Sequence, residues 1–319
     1  MSSSPQSTVP ATHLEFHAPG QGRGLRDVFA KQFLLKRIVN KEIQVRYRAS
    51  VLGLVWSYIK PAIQFAVYFV AMGVFLGLNK GLPNYAIYMF SGIVVMNLFT
   101  EVFGNSARII VGNGDLIKKI YLPRELFPVS SLWVAWIHFF PQVAILLVVD
   151  LIVGWHPTLM QLVAFVVGFV IVSVFALALG LVFGTANVFF RDSENFVDLI
   201  NMVVTWLSPV LYMWVLVANT LPHWAVTLYK FNPLTTAVEL FHDAFWASTV
   251  NGEIPYEVWH VMPHLFSYWT PIALVLSFGT LLVGDLLFRH FEGKFAQELQ
   301  CLDGTLHIHA GCRLIRNDE

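Results

Sequence analysis

Six long apolar stretches, at roughly 51–78, 85–107, 126–150, 159–188, 197–218 and 264–288, alternate with short polar breaks. A helix rises 1.5 Å per residue, so each stretch is long enough to cross a hydrocarbon core ~30 Å thick and predicts a membrane-spanning helix. Ahead of them, residues 25–48 read LRDVFAKQFLLKRIVNKEIQVRYR, with Leu25, Val28, Phe29, Phe33, Leu34, Ile38 and Val45 near helical spacing and basic residues between. That pattern predicts an amphipathic helix in the headgroup plane, serving as an anchor on anionic lipids, a dock for a partner, or both. Residues 219–263 hold two short amphipathic stretches parted by Asn232-Pro233, too short to span and suited to re-entering the outer leaflet. The expected fold class is an all-α integral membrane protein with six transmembrane helices. Its expected parts are a disordered tail at 1–24, the interface helix at 25–48, the six-span domain at 49–290 and a C-terminal tail at 291–319.

Charge orients this pattern. Of twenty Lys and Arg residues, seventeen fall in one alternate set of the segments between spans, and only Lys80 and Lys230 fall in the other; Lys60 lies inside the first span. The positive-inside rule then places both termini in the cytoplasm. With 56% apolar and 13% charged residues and a formal net charge of zero, the composition excludes an ordinary soluble domain. Residues 1–24 lack the apolar core and small-residue cleavage site of a signal peptide, and the expected location is a bacterial inner membrane. Cys301 and Cys312 both fall in the cytosolic tail, where a disulfide framework is not expected.

Several local sequences carry candidate chemistry. Lys60-Pro61 interrupts the first span; proline bends the axis, and Lys60 is close enough to the interface to snorkel or to touch a substrate. Phe65, Tyr68, Phe69, Met72 and Phe75 form a stripe for packing against lipid or a neighbouring helix. Between the second and third spans, Gly112-Asn113-Gly114 breaks the chain, Asp115 is a candidate N-cap and LIKKIY predicts a short charged helix that a soluble domain can grip. The break at Arg191-Asp192-Ser193 reads as a capped turn. Glu239, His242 and Asp243, at i, i+3 and i+4, read as a solvated or capped polar face, with a metal or catalytic role as the alternative. Cys301, His307, His309 and Cys312 are a candidate zinc or iron set, although their spacing fits no common zinc motif. The chain has no phosphate-binding loop, no HExxH, no nucleophile elbow and no C-x-x-C pair, so no ATP hydrolysis or catalytic residue of its own is expected. Glu101 and His138 stand inside spans, a thin basis for proton or sodium coupling.

Four segments in register resemble one family: YRASVLGLVWSYIKPAIQ, NGDLIKKIYLPRELFPVSSL, NVFFRDSENFVDLI followed by WLSPVLY, and KFNPLTTAVELFHDAF. Over roughly 25–290 the chain is similar to membrane subunits of type-2 ABC exporters for lipid-linked polysaccharides such as O-antigen, teichoic acid or cell-wall galactan. The resemblance implies a homodimer joined to two copies of a separate cytosolic ATPase, which would hold ATP and magnesium, with no nucleic-acid partner. It implies ATPase coupling through Asn113, Asp115, Lys118 and Lys119, with Arg191 and Asp192 nearby, and gate helices carrying Asn232, Pro233, Glu239 and Asp243. A polyprenyl pyrophosphate headgroup would meet Arg46 and Arg48, where the interface helix joins the first span. Tyr68, Phe69, Trp206 and Tyr212 are candidates for a sugar-lined channel between the first and fifth spans of two protomers. The nearer alternative is a type-2 exporter of a drug or lipid; a membrane enzyme acting on polyprenyl lipids through Glu239, His242 and Asp243 is the more distant one. Beyond about residue 290 the chain departs from the family pattern with some thirty extra residues.

Overall fold

The computed structural model describes residues 24–48, 50–119, 122–250 and 262–302, and the regular structure among them is entirely helical. The amphipathic segment forms two helices, α1 (Leu25–Ala30) and α2 (Gln32–Tyr47), the second packed along α7. Leu35, Ile38 and Val39 face that contact while Phe33 and Val45 stay exposed, so the buried stripe is narrower than the sequence pattern suggested. The first span runs Gly53–Phe75 as a short 3-10 turn, α3 (Trp56–Tyr68) and a π-helical stretch (Phe69–Phe75). Pro61 lies inside α3, and none of that helix's residues is buried.

A four-residue turn, α4 (Leu78–Gly81), leads into α5 (Tyr85–Gly112), the most enclosed of the candidate spans. Beyond Asn113 the chain makes α6 (Gly114–Lys119), then α7 (Leu126–Val153) and α8 (Leu159–Phe189). Gly154, at φ 96°, ends α7 in the left-handed conformation that glycine adopts without penalty. α8 opens on a capping box: Thr158 Oγ1 accepts from the Gln161 amide at 3.3 Å, and Gln161 Oε1 accepts from the Thr158 amide at 2.8 Å.

α8 is the hub of the bundle, touching α5, α12 and α13. Close approach is purchased with glycine: a Cβ on Gly180 would sit 2.4 Å from Ser106 Cβ on α5, and one on Gly284 of α13 would sit 2.8 Å from the Ala178 carbonyl oxygen. Gly180 and Gly184 form a G-x-x-x-G pair, the spacing that lets membrane helices meet backbone to backbone.

The predicted fifth span is not one helix. α9 (Ser193–Leu207) stops before Ser208-Pro209, and α10 (Trp214–Thr220) resumes after an irregular turn. Proline disfavours helical backbone at the residue before it, and Ser208 is extended at φ −87°, ψ 147°. Carbonyls freed by the break find donors on α5: the Tyr85 hydroxyl donates to Leu211 O at 3.0 Å, and that of Tyr88 to Tyr212 O at 3.1 Å and Pro209 O at 3.3 Å. Non-helical backbone at membrane depth needs such internal partners. Among the described residues five helical segments are long and apolar enough, each as one helix, to span a membrane.

After α10 come α11 (His223–Lys230) and α12 (Pro233–Phe241), continued by a π turn (His242–Trp246). Asn232 Oδ1 accepts from the Leu234 amide at 3.1 Å and Pro233 starts α12, as the Asn-Pro pair suggested. A π turn (Leu265–Trp269) then feeds α13 (Thr270–Leu302). α13 does not stop at residue 290: its last third continues as helix, burying Phe295 and Leu299, with Leu299 packed 3.6 Å from where a Gly114 Cβ would be. Residues 291–302, expected in the tail, thus continue α13.

Candidate functional site

α2, α3, α5 and α7 enclose a polar cleft of about 840 Å³. Arg46, at the end of α2, donates from Nη1 to Glu101 Oε1 at 2.5 Å, and the same oxygen lies 2.7 Å from Nδ1 of the buried His138. His138 Nε2 meets the Tyr47 hydroxyl at 2.9 Å, and Tyr47 also bonds Ser57 on α3. Glu101 is thus shared by a cation from the interface helix and an imidazole from α7. Such a chain of charge-assisted bonds stabilises side chains that would be costly alone in an apolar bundle. Lys60, Gln64, Asn97 and Gln142 complete the walls, and Asn97 Nδ2 donates to Gln142 Oε1 at 3.3 Å.

Of the two arginines proposed for a headgroup, Arg46 lines this cleft and Arg48 does not; Arg48 is exposed just beyond α2. Lys60, although exposed, lines the same cleft. Sequence reasoning missed Tyr47, Gln64, Asn97 and Gln142. A signal was present: Asn97, Thr100 and Glu101, like His138 and Gln142, sit three or four residues apart and so share one face of an apolar helix.

A second cluster lies at the basic end. Asp115, Lys119, Arg191 and Asp192 are exposed and Lys118 is half-buried, as a docking surface requires. Asn113 is instead buried: its amide donates to Glu42 Oε1 at 3.3 Å and Ile109 O at 2.9 Å, and its oxygen accepts from Lys41. It fastens α2 to the turn before α6. Asp115 does not cap α6; the helix begins at Gly114 and Asp115 occupies its first turn. Arg108 reaches Asp198 at 2.5 Å and Glu194 at 3.8 Å, tying α5 to α9 beside Arg191. Below, buried Glu125 faces the Glu292 carboxyl of α13. Burial first, then that neighbour, raises the Glu125 carboxyl from 4.5 to about 7.

The aromatic candidates partly converge. Tyr68 and Trp206 meet at 6.4 Å between ring centres, and the Tyr212 hydroxyl donates to Trp206 O at 2.8 Å; Phe69 instead stacks on Tyr85 inside the chain. Glu239 and His242 do not form a solvated or capped face: both are buried, His242 stacks on Tyr88 at 3.7 Å, and Glu239 Oε2 accepts from the Met262 amide at 3.3 Å. Burial also denies them the outward exposure that a catalytic role was given. His307, His309 and Cys312 of the suggested metal set lie outside the described residues, as does the side chain of Cys301.

Comparison with known proteins decides the lineage. Residues 34–246 match the model of the family described as ABC-2 type transporter. The chain belongs to that family. As an ABC-2 protein it is a multi-pass membrane protein of a transport system whose ATPase resides on a separate subunit. Among relatives of this ABC-2 chain are two O-antigen export system permease proteins, RfbA, of Klebsiella pneumoniae. One is 28% identical over 270 residues, covering 83% of this chain and 95% of the relative. The other is 26% identical over 266 residues with the same coverage. The RfbA of Myxococcus xanthus is 31% identical over 192 residues, 60% of this chain and 72% of its own length.

Proposed function

We propose that this ABC-2 protein is the membrane subunit of an ATP-driven exporter that moves a lipid-linked polysaccharide across a bacterial inner membrane. The observation that carries the reading is the near full-length similarity to permeases named for O-antigen export. Two copies would assemble with two cytosolic ATPase subunits. In this reading α9 and α10 together serve as a sixth, broken span, which leaves both termini in the cytoplasm and agrees with the positive charge on α2 and α6. The exposed residues of α6, with Arg191 and Asp192, receive the ATPase, and α11 and α12 form the outer gate. Arg46 and Arg48 are the cations for the pyrophosphate, and Tyr68, Trp206 and Tyr212 are the sugar contacts. Tyr68 and Trp206 are already neighbours, which supports a common aromatic surface.

The test is transport in inverted membrane vesicles containing this chain and an ATPase subunit. ATP should drive uptake of a radiolabelled lipid-linked glycan, and the chain alone should hydrolyse no ATP. Replacing Asp115, Lys118 and Lys119 together by alanine should abolish uptake while the complex still hydrolyses ATP. Wild-type uptake by that variant would remove α6 from the coupling path.

A further inference from the structure

The polar cleft has an apolar neighbour. Above it, between α3, α5 and α7, lies a compartment of about 350 Å³ walled by Phe65, Ala62, Phe90, Ile145 and Val149. Pro61 and Gln142 line both spaces, so the two adjoin along α3. No α3 residue is buried in the bundle, so this helix forms the outer wall of both spaces.

Charge in the lower space is unbalanced. Arg46 and Lys60 supply two cations against the single carboxylate of Glu101, and Glu101 is already engaged by Arg46 and His138. Lys60 makes no ion pair among the described residues. Lys60 is exposed at the cleft, so its ammonium is accessible to an anionic group entering from outside. The amides of Gln64, Asn97 and Gln142 add paired donors and acceptors, the groups that match vicinal sugar hydroxyls. A phosphate alone would fill a small part of about 840 Å³.

We propose that the α3–α5–α7 cleft of a single protomer binds one glycosylated lipid phosphate, its phosphate on Lys60 and Arg46, its first sugar among the amides and its chain in the Phe65–Phe90 compartment. This rests on the lipid-linked glycan reading above; at this intraprotomer loading site Lys60, which lines the cleft, takes the place given above to Arg48, which does not. Glu101 holds Arg46 in place until the phosphate arrives.

The experiment uses the complete complex with its ATPase subunit, in phosphatidylcholine nanodiscs without ATP. The probes are a polyprenyl diphosphate disaccharide and a phosphatidylglycerol, each with a photoreactive diazirine in the chain. Saturable cross-linking of the disaccharide lipid to residues 86–90 or 145–149 is expected, with phosphatidylglycerol a poor competitor. Lys60→Gln should weaken binding about tenfold, the worth of one charge-assisted hydrogen bond. Ala62→Trp, at an exposed position, should fill the apolar compartment and abolish labelling there. Labelling unchanged in both variants, or equal competition by phosphatidylglycerol, would overturn the site. Export that survives both variants would also remove the site while leaving the exporter function intact; saturable, Lys60-dependent labelling in a complex that exports no glycan would uphold the site and remove that function.

Discussion

Glu101 illustrates how a single side chain can set local order within an apolar bundle. Its Oε1 atom serves both Arg46 and His138; removing it frees the exposed guanidinium to water but leaves Nδ1 of the buried imidazole without its partner. Glu101→Ala should therefore cost about 1–3 kcal/mol, the usual penalty for orphaned buried polar groups. Glu101→Gln, which retains an amide oxygen, should cost less. Thermal unfolding of both variants in one detergent checks the order. The sequence displayed Glu101 and His138 as isolated polar residues inside spans. Their partnership was legible only through helical spacing combined with knowledge of which helices touch. Lys60 was readable as a lysine near an interface, but its direction depends on the rotation of α3, which no periodicity specified in a span exposed on nearly every side.

Helices meet here through small residues. Gly180→Ala should force α8 away from Ser106 and lower stability by about 1–3 kcal/mol, the ordinary cost of overpacking. Gly279→Ala on α13, where nothing lies within 4 Å, should instead stabilise by up to about 1 kcal/mol through helix propensity, so paired melting curves separate the contact from propensity. The G-x-x-x-G spacing was visible in the sequence, whereas the partner helix was not. Likewise the Ser208-Pro209 pair was plain to read, yet hydropathy averaged across it and predicted one span. The preference of the residue before proline, supported by hydroxyls of Tyr85 and Tyr88, prevailed.

The junction of α7 with α13 carries a pH dependence. The Glu125 carboxyl binds its proton more tightly in the folded protein than its ordinary value of 4.5 allows, so its stabilising contribution is complete below that value and is lost as pH rises through about 7. Stability should fall between pH 5 and 8. Glu125→Gln should flatten that decline and make the protein more stable than wild type at pH 8, as read from melting temperatures across the range.

At the scale of the whole molecule, the run lengths and helical spacing located the five candidate spans, the helix ahead of them and the short charged α6. The same features could not reveal that Asn113 is an internal fastener. A Gly-Asn-Gly turn looks alike whether its amide faces water or Lys41 and Glu42, and only the packing of α2 over α7 distinguishes the two. Nor could they show that residues 291–302 continue a helix, because Phe291, Phe295 and Leu299 acquire their meaning from Phe189 and Gly114.

α13 is 33 residues long, about 50 Å at 1.5 Å per residue, whereas the first span has 23 residues, about 35 Å. The shorter one matches a bilayer and the longer one overshoots it. A helix that ends at the water boundary takes its depth and tilt from the surrounding lipid. One that runs on into a protein contact, as α13 does beside α6, takes them from that contact. Moving the protein from thick to thin lipid should therefore tilt Gly53–Phe75 while α13 keeps its angle, and spin-label distances from each helix to α8 would measure the difference. Lipid thickness would then move one wall of this protein while the strut beside α6 stays in place.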